Sequence, residues 1–113
     1  MSGYIIPRQN LLAAATIEPS NNNVISRAAI SGGKAVWYIP IYRDIRIGDG
    51  VFGYIITDSD YYYALDGQIT SLVDRFEVQV PDMIFTYPVT KATVTYIVNC
   101  QILSDATEYT VVN

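Results

Sequence analysis

The sequence contains no histidine. That absence removes Ser-His-Asp and Cys-His nucleophilic catalysis, most zinc sites and the commonest general base. Cysteine is nearly missing as well: Cys100 stands alone, so no intrachain disulfide can form. A lone cysteine near a strand end reads as a small half-buried hydrophobe, and it suits a reducing compartment. Charge is sparse at 16% of residues, with seven Lys and Arg against eleven Asp and Glu, a net charge of −4. The basic residues are scattered, which leaves no footprint for a phosphate backbone or an anionic membrane surface. Nucleic acid is therefore not an expected partner. Apolar runs are short, far from the roughly 20 residues of a membrane-spanning helix, so no membrane insertion is expected. The opening MSGYIIPRQNLLAAATI lacks the order of a signal peptide, because Arg8 follows the first apolar residues and Leu11–Ile17 is short and broken. The expected location is the cytoplasm as synthesised, with export by a non-classical route as the alternative.

What is present points to strands. Half of the 113 residues are apolar and ten are tyrosine, a residue favoured both in sheets and on contact surfaces. The length suits a single domain over 1–113, with 1–10 as an N-terminal extension or pairing strand. Apolar runs at Leu11–Ile17, Val24–Ile30 and Lys34–Ile39 are separated by Glu18-Pro19-Ser20 with Asn21-Asn22-Asn23, and by Ser31-Gly32-Gly33. Val51–Thr57 follows the Gly48-Asp49-Gly50 turn, and Gly53 within it suggests a bulge or a close backbone approach. Tyr61–Leu65 comes next, with Asp66-Gly67 as a turn signal. Val73–Val80 sets Phe76, Val78 and Val80 on one face against Arg75, Glu77 and Gln79 on the other. Ala92–Val98 alternates again, and Ala106–Val112 closes the chain. Seven or eight short strands without crossover helices predict an antiparallel all-β sandwich or small barrel.

The order of the motifs is also suggestive. A Leu-Ala-Ala-Ala-Thr-Ile opening leads to Val36-Trp37-Tyr38-Ile39-Pro40 and Tyr42, then Ile47-Gly48-Asp49-Gly50-Val51 with Tyr54. Phe76-Glu77-Val78-Gln79-Val80-Pro81 and Ala92-Thr93-Val94-Thr95-Tyr96-Ile97-Val98 follow. From about Leu12 onward this resembles the immunoglobulin-like modules that occur in tandem in large surface and adhesin-like proteins of Gram-negative bacteria. The resemblance implies an immunoglobulin-like β-sandwich of seven or eight strands, with Gly48-Asp49 turning into its third strand. It also implies that Tyr96 is a corner tyrosine whose hydroxyl bonds backbone.

No catalytic residues, cofactor or metal are expected. The scattered carboxylates could meet as an acid–base pair only by an accident of folding that spacing does not reveal. The most distinctive segment is Asp58-Ser59-Asp60-Tyr61-Tyr62-Tyr63. Asp58 and Asp60 could offer oxygens to Ca²⁺, without EF-hand spacing, and Tyr61, Tyr62 and Tyr63 could stack on sugars. The plainer reading is a polar loop feeding an edge strand. Alternation places Tyr61 and Tyr63 on one face and Tyr62 on the other, so some tyrosine must be exposed. Tyr4, Ile5 and Ile6 form a β-prone apolar stretch suited to adding a strand at a sheet edge, in its own fold or in a neighbour. The expectation is a non-catalytic interaction or self-assembly module, binding itself or another protein. The alternative is a small lectin-like module binding carbohydrate through Asp58–Tyr63.

Overall fold

Strict alternation organises the longest strands. Along Lys91–Val98 the side chains of Ala92, Val94, Tyr96 and Val98 are all buried, while the residues between them are only partly covered. A strand with that pattern has one face on a core and one toward solvent. The computed structural model describes Gly3 and residues 11–59 and 62–113. In chain order it forms β1 (Thr16–Glu18), β2 (Val24–Ser26), the single-turn α1 (Arg27–Ile30), β3 (Val36–Ile39), β4 (Gly50–Thr57) and β5 (Tyr62–Gln68). Then come β6 (Phe76–Gln79), a 3-10 turn at Asp82–Phe85, β7 (Lys91–Val98), β8 (Ile102–Leu103) and β9 (Thr107–Val112).

The strands make an all-β sandwich of two sheets. One has the order β1-β3-β6, and the other β2-β9-β7-β4-β5, with β8 paired to the end of β7. Among the described strands one pairing is parallel, that of β2 with β9 through Val24–Thr110, Ile25–Val111 and Ser26–Val112. That corrects the wholly antiparallel expectation, and the cause is that β1 and β2 lie in different sheets. The turn at Pro19–Asn23, where Asn22 and Asn23 take positive φ, carries the chain across. β8 and β9 both lie along β7, so together they make one interrupted strand. In the break Ser104 is buried, its Oγ accepting the Tyr96 N–H at 3.0 Å and donating to Asp105 O at 2.9 Å.

The core fills the space between the sheets, with Trp37, Tyr96, Phe85, Ile17, Ile25, Ile39, Ile55 and Val94 among its fully buried side chains. The opening apolar run is a strand only over Thr16–Glu18; backbone bonds to Leu103 and Asp105 hold Leu12, and side chains of the larger sheet bond Ala13, Ala15 and Ile17. Tyr96 Oη donates to Ala13 O at 2.6 Å, Thr107 Oγ1 donates to Ala15 O at 2.7 Å, and Tyr109 Oη accepts Ile17 N–H at 2.8 Å. Tyr96 thus bonds backbone, and burial pushes its hydroxyl pKa up. Buried carbonyls need such partners where no ladder supplies them.

Three other expectations change. Asp66-Gly67 is not a turn: both residues lie inside β5, with Gly67 opposite Val51. Glycine leaves room there for the Phe76 ring, which would sit 2.9 Å from a Cβ. Gly53 is not a bulge, since the register runs unbroken through Gly53–Leu65 and Gly53–Tyr96. The close approach is there instead, made by the Trp37 indole at 2.9 Å and the Thr95 backbone carbonyl at 3.0 Å from where a Cβ would stand. Cys100 is exposed rather than half-buried. It sits with Asn99 at the tip between β7 and β8, both with positive φ, in a tight turn that points its side chain outward.

Candidate interaction surface

The alternation that buries Val51, Gly53 and Ile55 of β4 turns Phe52, Tyr54 and Ile56 away from the core. In register beside them on β5 stand Asp66, Ala64 and Tyr62, and on β7 Ile97, Thr95 and Thr93. Phe52 is 43% exposed, Ile56 52% and Tyr62 72%. Phe52 and Tyr54 pack edge to face, 5.8 Å between centroids. The result is a groove of about 370 Å³ walled by Phe52, Tyr54, Ile56, Tyr62 and Ala64. Threonines on β7 form a neutral border, with Asp66 in register beside Phe52 and Glu108 beyond Thr93. An apolar centre with a polar rim is the anatomy of a protein contact surface. The exposed Val73, Met83 and Tyr87 lie outside the strands, and the exposed Ile102 and Val112 lie on β8 and at the end of β9.

Beyond Phe52 the same face continues as a more polar hollow of about 500 Å³, which includes Asp66, Gln68, Asn99 and Cys100. Its floor is rigid. Asp49 accepts the Tyr42 hydroxyl at 2.8 Å, Arg46 N–H at 3.0 Å and Asn99 Nδ2 at 3.1 Å, and Asn99 Oδ1 accepts Gly50 N–H at 2.8 Å. The Tyr42 hydroxyl beside Asp49 holds that carboxyl below its ordinary range. Burial first, and the same hydrogen bond second, push the Tyr42 hydroxyl up. Gly48-Asp49 therefore does work as the turn entering β4, through the carboxylate of Asp49.

The Asp58–Tyr63 segment divides. Tyr62 opens onto the groove, whereas Tyr63 points inward and packs against the core. Asp58 turns back into the fold: Oδ1 accepts Thr90 N–H at 2.9 Å and Lys91 N–H at 3.1 Å, and Oδ2 accepts the Thr90 hydroxyl at 2.5 Å. That places it as a brace between the end of β4 and the start of β7. Asp60, Tyr61 and the expected pairing residues Tyr4, Ile5 and Ile6 lie outside the described residues. Among the described residues no group of three or more acidic, cysteine or histidine side chains could hold a metal ion. Nor is any helix among them long and apolar enough to cross a membrane.

The Thr90 hydroxyl, then the Thr90 and Lys91 amides, hold the Asp58 pKa down at about 2, from an ordinary 3.8. A carboxyl whose pKa falls on folding stabilises above its unfolded value and loses that contribution as pH drops through the folded one. Asp58→Asn is accordingly expected to lower the melting temperature at neutral pH. The difference from the parent should shrink between pH 4 and pH 2, as thermal scans across that window would record.

Phe52 and Ile56 were not visible as site residues in the sequence. VFGYIIT is apolar on both faces and reads as a fully buried strand, and the available clue was Gly53 marking the crowded inner side. Comparison with protein-family models, with curated proteins and with solved structures finds no match to this chain.

Proposed function

We propose that this chain is a non-catalytic interaction module of immunoglobulin-like architecture, binding protein through the outer face of β4, β5 and β7. The observation that carries the reading is the contiguous Phe52–Tyr54–Ile56–Tyr62 surface on a regular sheet. Large apolar patches on otherwise soluble folds mark contact sites, and aromatic residues dominate the energy of such contacts. What supports the immunoglobulin-like part is the order of strands. β9-β7-β4-β5 matches the G-F-C-C′ run of variable-type sandwiches, and β1-β3-β6 matches A-B-E. The carbohydrate alternative draws on the same segment, but both oxygens of Asp58 are engaged within the fold and Tyr63 faces the core.

The surface is tested with an apolar fluorescent dye, anilinonaphthalene sulfonate, on dilute and cooperatively folded protein. The dye is expected to bind the parent chain and to lose several-fold in signal with Phe52→Lys or Ile56→Lys. Because both side chains are solvent-facing, stability should change by about 1 kcal/mol or less. A parent chain that binds no dye, or variants that bind it as well as the parent, would overturn the assignment of this face.

A further inference from the structure

We propose that the partner is a second copy of the chain, joined antiparallel through β5 at the border of this face so that two six-stranded sheets become one. The proposal rests on the reading of the face given above and adds the partner and its register.

The edges of the sandwich are unequal. β1 and β2 span three residues each and β6 four, whereas β5 spans seven and, among the described residues, pairs with β4 alone. A long regular edge is a template for another strand, and soluble folds usually blunt it with lysine, proline, a bulge or brevity. β5 has none of these devices: Tyr62-Tyr63-Ala64-Leu65-Asp66-Gly67-Gln68 carries no basic residue, no proline and one charge, and its register with β4 is unbroken.

That one charge narrows the register. A two-fold axis at Asp66 would set two carboxylates directly opposite each other, which is unfavourable. An axis at Ala64 sets Ala64 against its own copy, where two methyl groups let the strands approach, and sets Tyr62 across from the partner's Asp66. The two carboxylates then stand about 14 Å apart along the strands. That exceeds the screening length of about 8 Å at physiological ionic strength. On the outer face Tyr62, the most exposed residue of the groove, comes to lie over the partner's strand. On the inner face Tyr63 and the partner's Leu65 meet. Each copy offers the other the same surface, as a closed two-fold dimer requires. Within β5 this register pairs five residues, Tyr62–Asp66, and with one aromatic side chain it makes a contact below the standard interface size.

The test is sedimentation equilibrium on the full chain over a concentration series, under reducing conditions so that exposed Cys100 forms no crosslink. The parent is expected to pass from monomer to dimer. Ala64→Lys and Ala64→Glu, each placing like charges on the axis, should each weaken association at least tenfold while unfolding as cooperatively as the parent. An equimolar mixture of the two variants should restore a dimer. A parent that stays monomeric throughout overturns the pairing, and so do variants that associate as well as the parent or a mixture that gives no dimer. Dye binding by a monomeric parent would leave the face as a binding surface and remove only the second copy as the partner. Loss of the dimer with Phe52→Lys but not with Ala64→Lys would replace strand pairing by face-to-face contact.

Discussion

Trp37→Ala should cost about 3–5 kcal/mol, the usual range for deleting a large buried aromatic side chain. Trp37 is fully buried on β3, with Ile17 of β1 paired beside it on one side and Val78 of β6 on the other. Its ring reaches across to the second sheet and lies against Gly53 of β4. Removing it opens a void between the sheets that neither can collapse to fill, because backbone hydrogen bonds hold both in place. Domains of this size have a total stability of about 5–15 kcal/mol, so the variant should sit close to its unfolding threshold at room temperature. Trp37→Phe should cost clearly less. The indole Nε1 has no hydrogen-bond partner among the described residues, and phenylalanine removes that buried donor while keeping most of the ring. Denaturant titration of the two variants measures both losses, and equal losses would contradict the account.

Gly53→Ala is the companion experiment from the other sheet. The new Cβ would stand 2.9 Å from Trp37 Cη2 and Cζ2 and 3.0 Å from Thr95 O. The tryptophan lies in a packed core and the carbonyl is part of the β4–β7 ladder, so neither can yield cheaply. Overpacking of this kind costs about 1–3 kcal/mol, and Gly53→Val should exceed that. The two sites share one contact and should not be additive. In a Trp37→Phe background the smaller ring makes room, so Gly53→Ala should be less harmful there than in the parent. A double-mutant cycle with no coupling would show that the indole does not press on Gly53.

Where one face of a strand is buried, the sequence was readable. The alternation of β7 and β9 and the apolar run of β4 mark these strands within a residue or two. Parity likewise sends Tyr62 and Tyr63 to opposite faces, as the structure has them. Glycine was harder to interpret. Asp66-Gly67 reads as a turn because that pair supplies positive φ, but Gly67 is there to admit the Phe76 ring, a contact between residues of different sheets. The turn at Asn99-Cys100 takes positive φ at both residues without any glycine, so it carries no strong local signal. The parallel pairing of β2 with β9 depends on residues 86 positions apart, which no local pattern encodes. Asp58 drew notice for its acidic, tyrosine-rich neighbourhood, yet its partners Thr90 and Lys91 come from a distant strand. The same long-range pairing assembles the groove, since Phe52, Ile56 and Tyr62 become a surface only when β4 and β5 lie side by side.

The most direct test of the central claim is amide-resolved hydrogen exchange at low and high protein concentration. If β5, at the border of the apolar face, is the seam between two copies, the outward amides of Tyr62–Asp66 should slow as concentration rises. Neighbouring amides of β4 should follow, while those of β1, β2 and β6 stay unchanged. Exchange in β5 that is indifferent to concentration, or slowing confined to a different edge, would contradict the account.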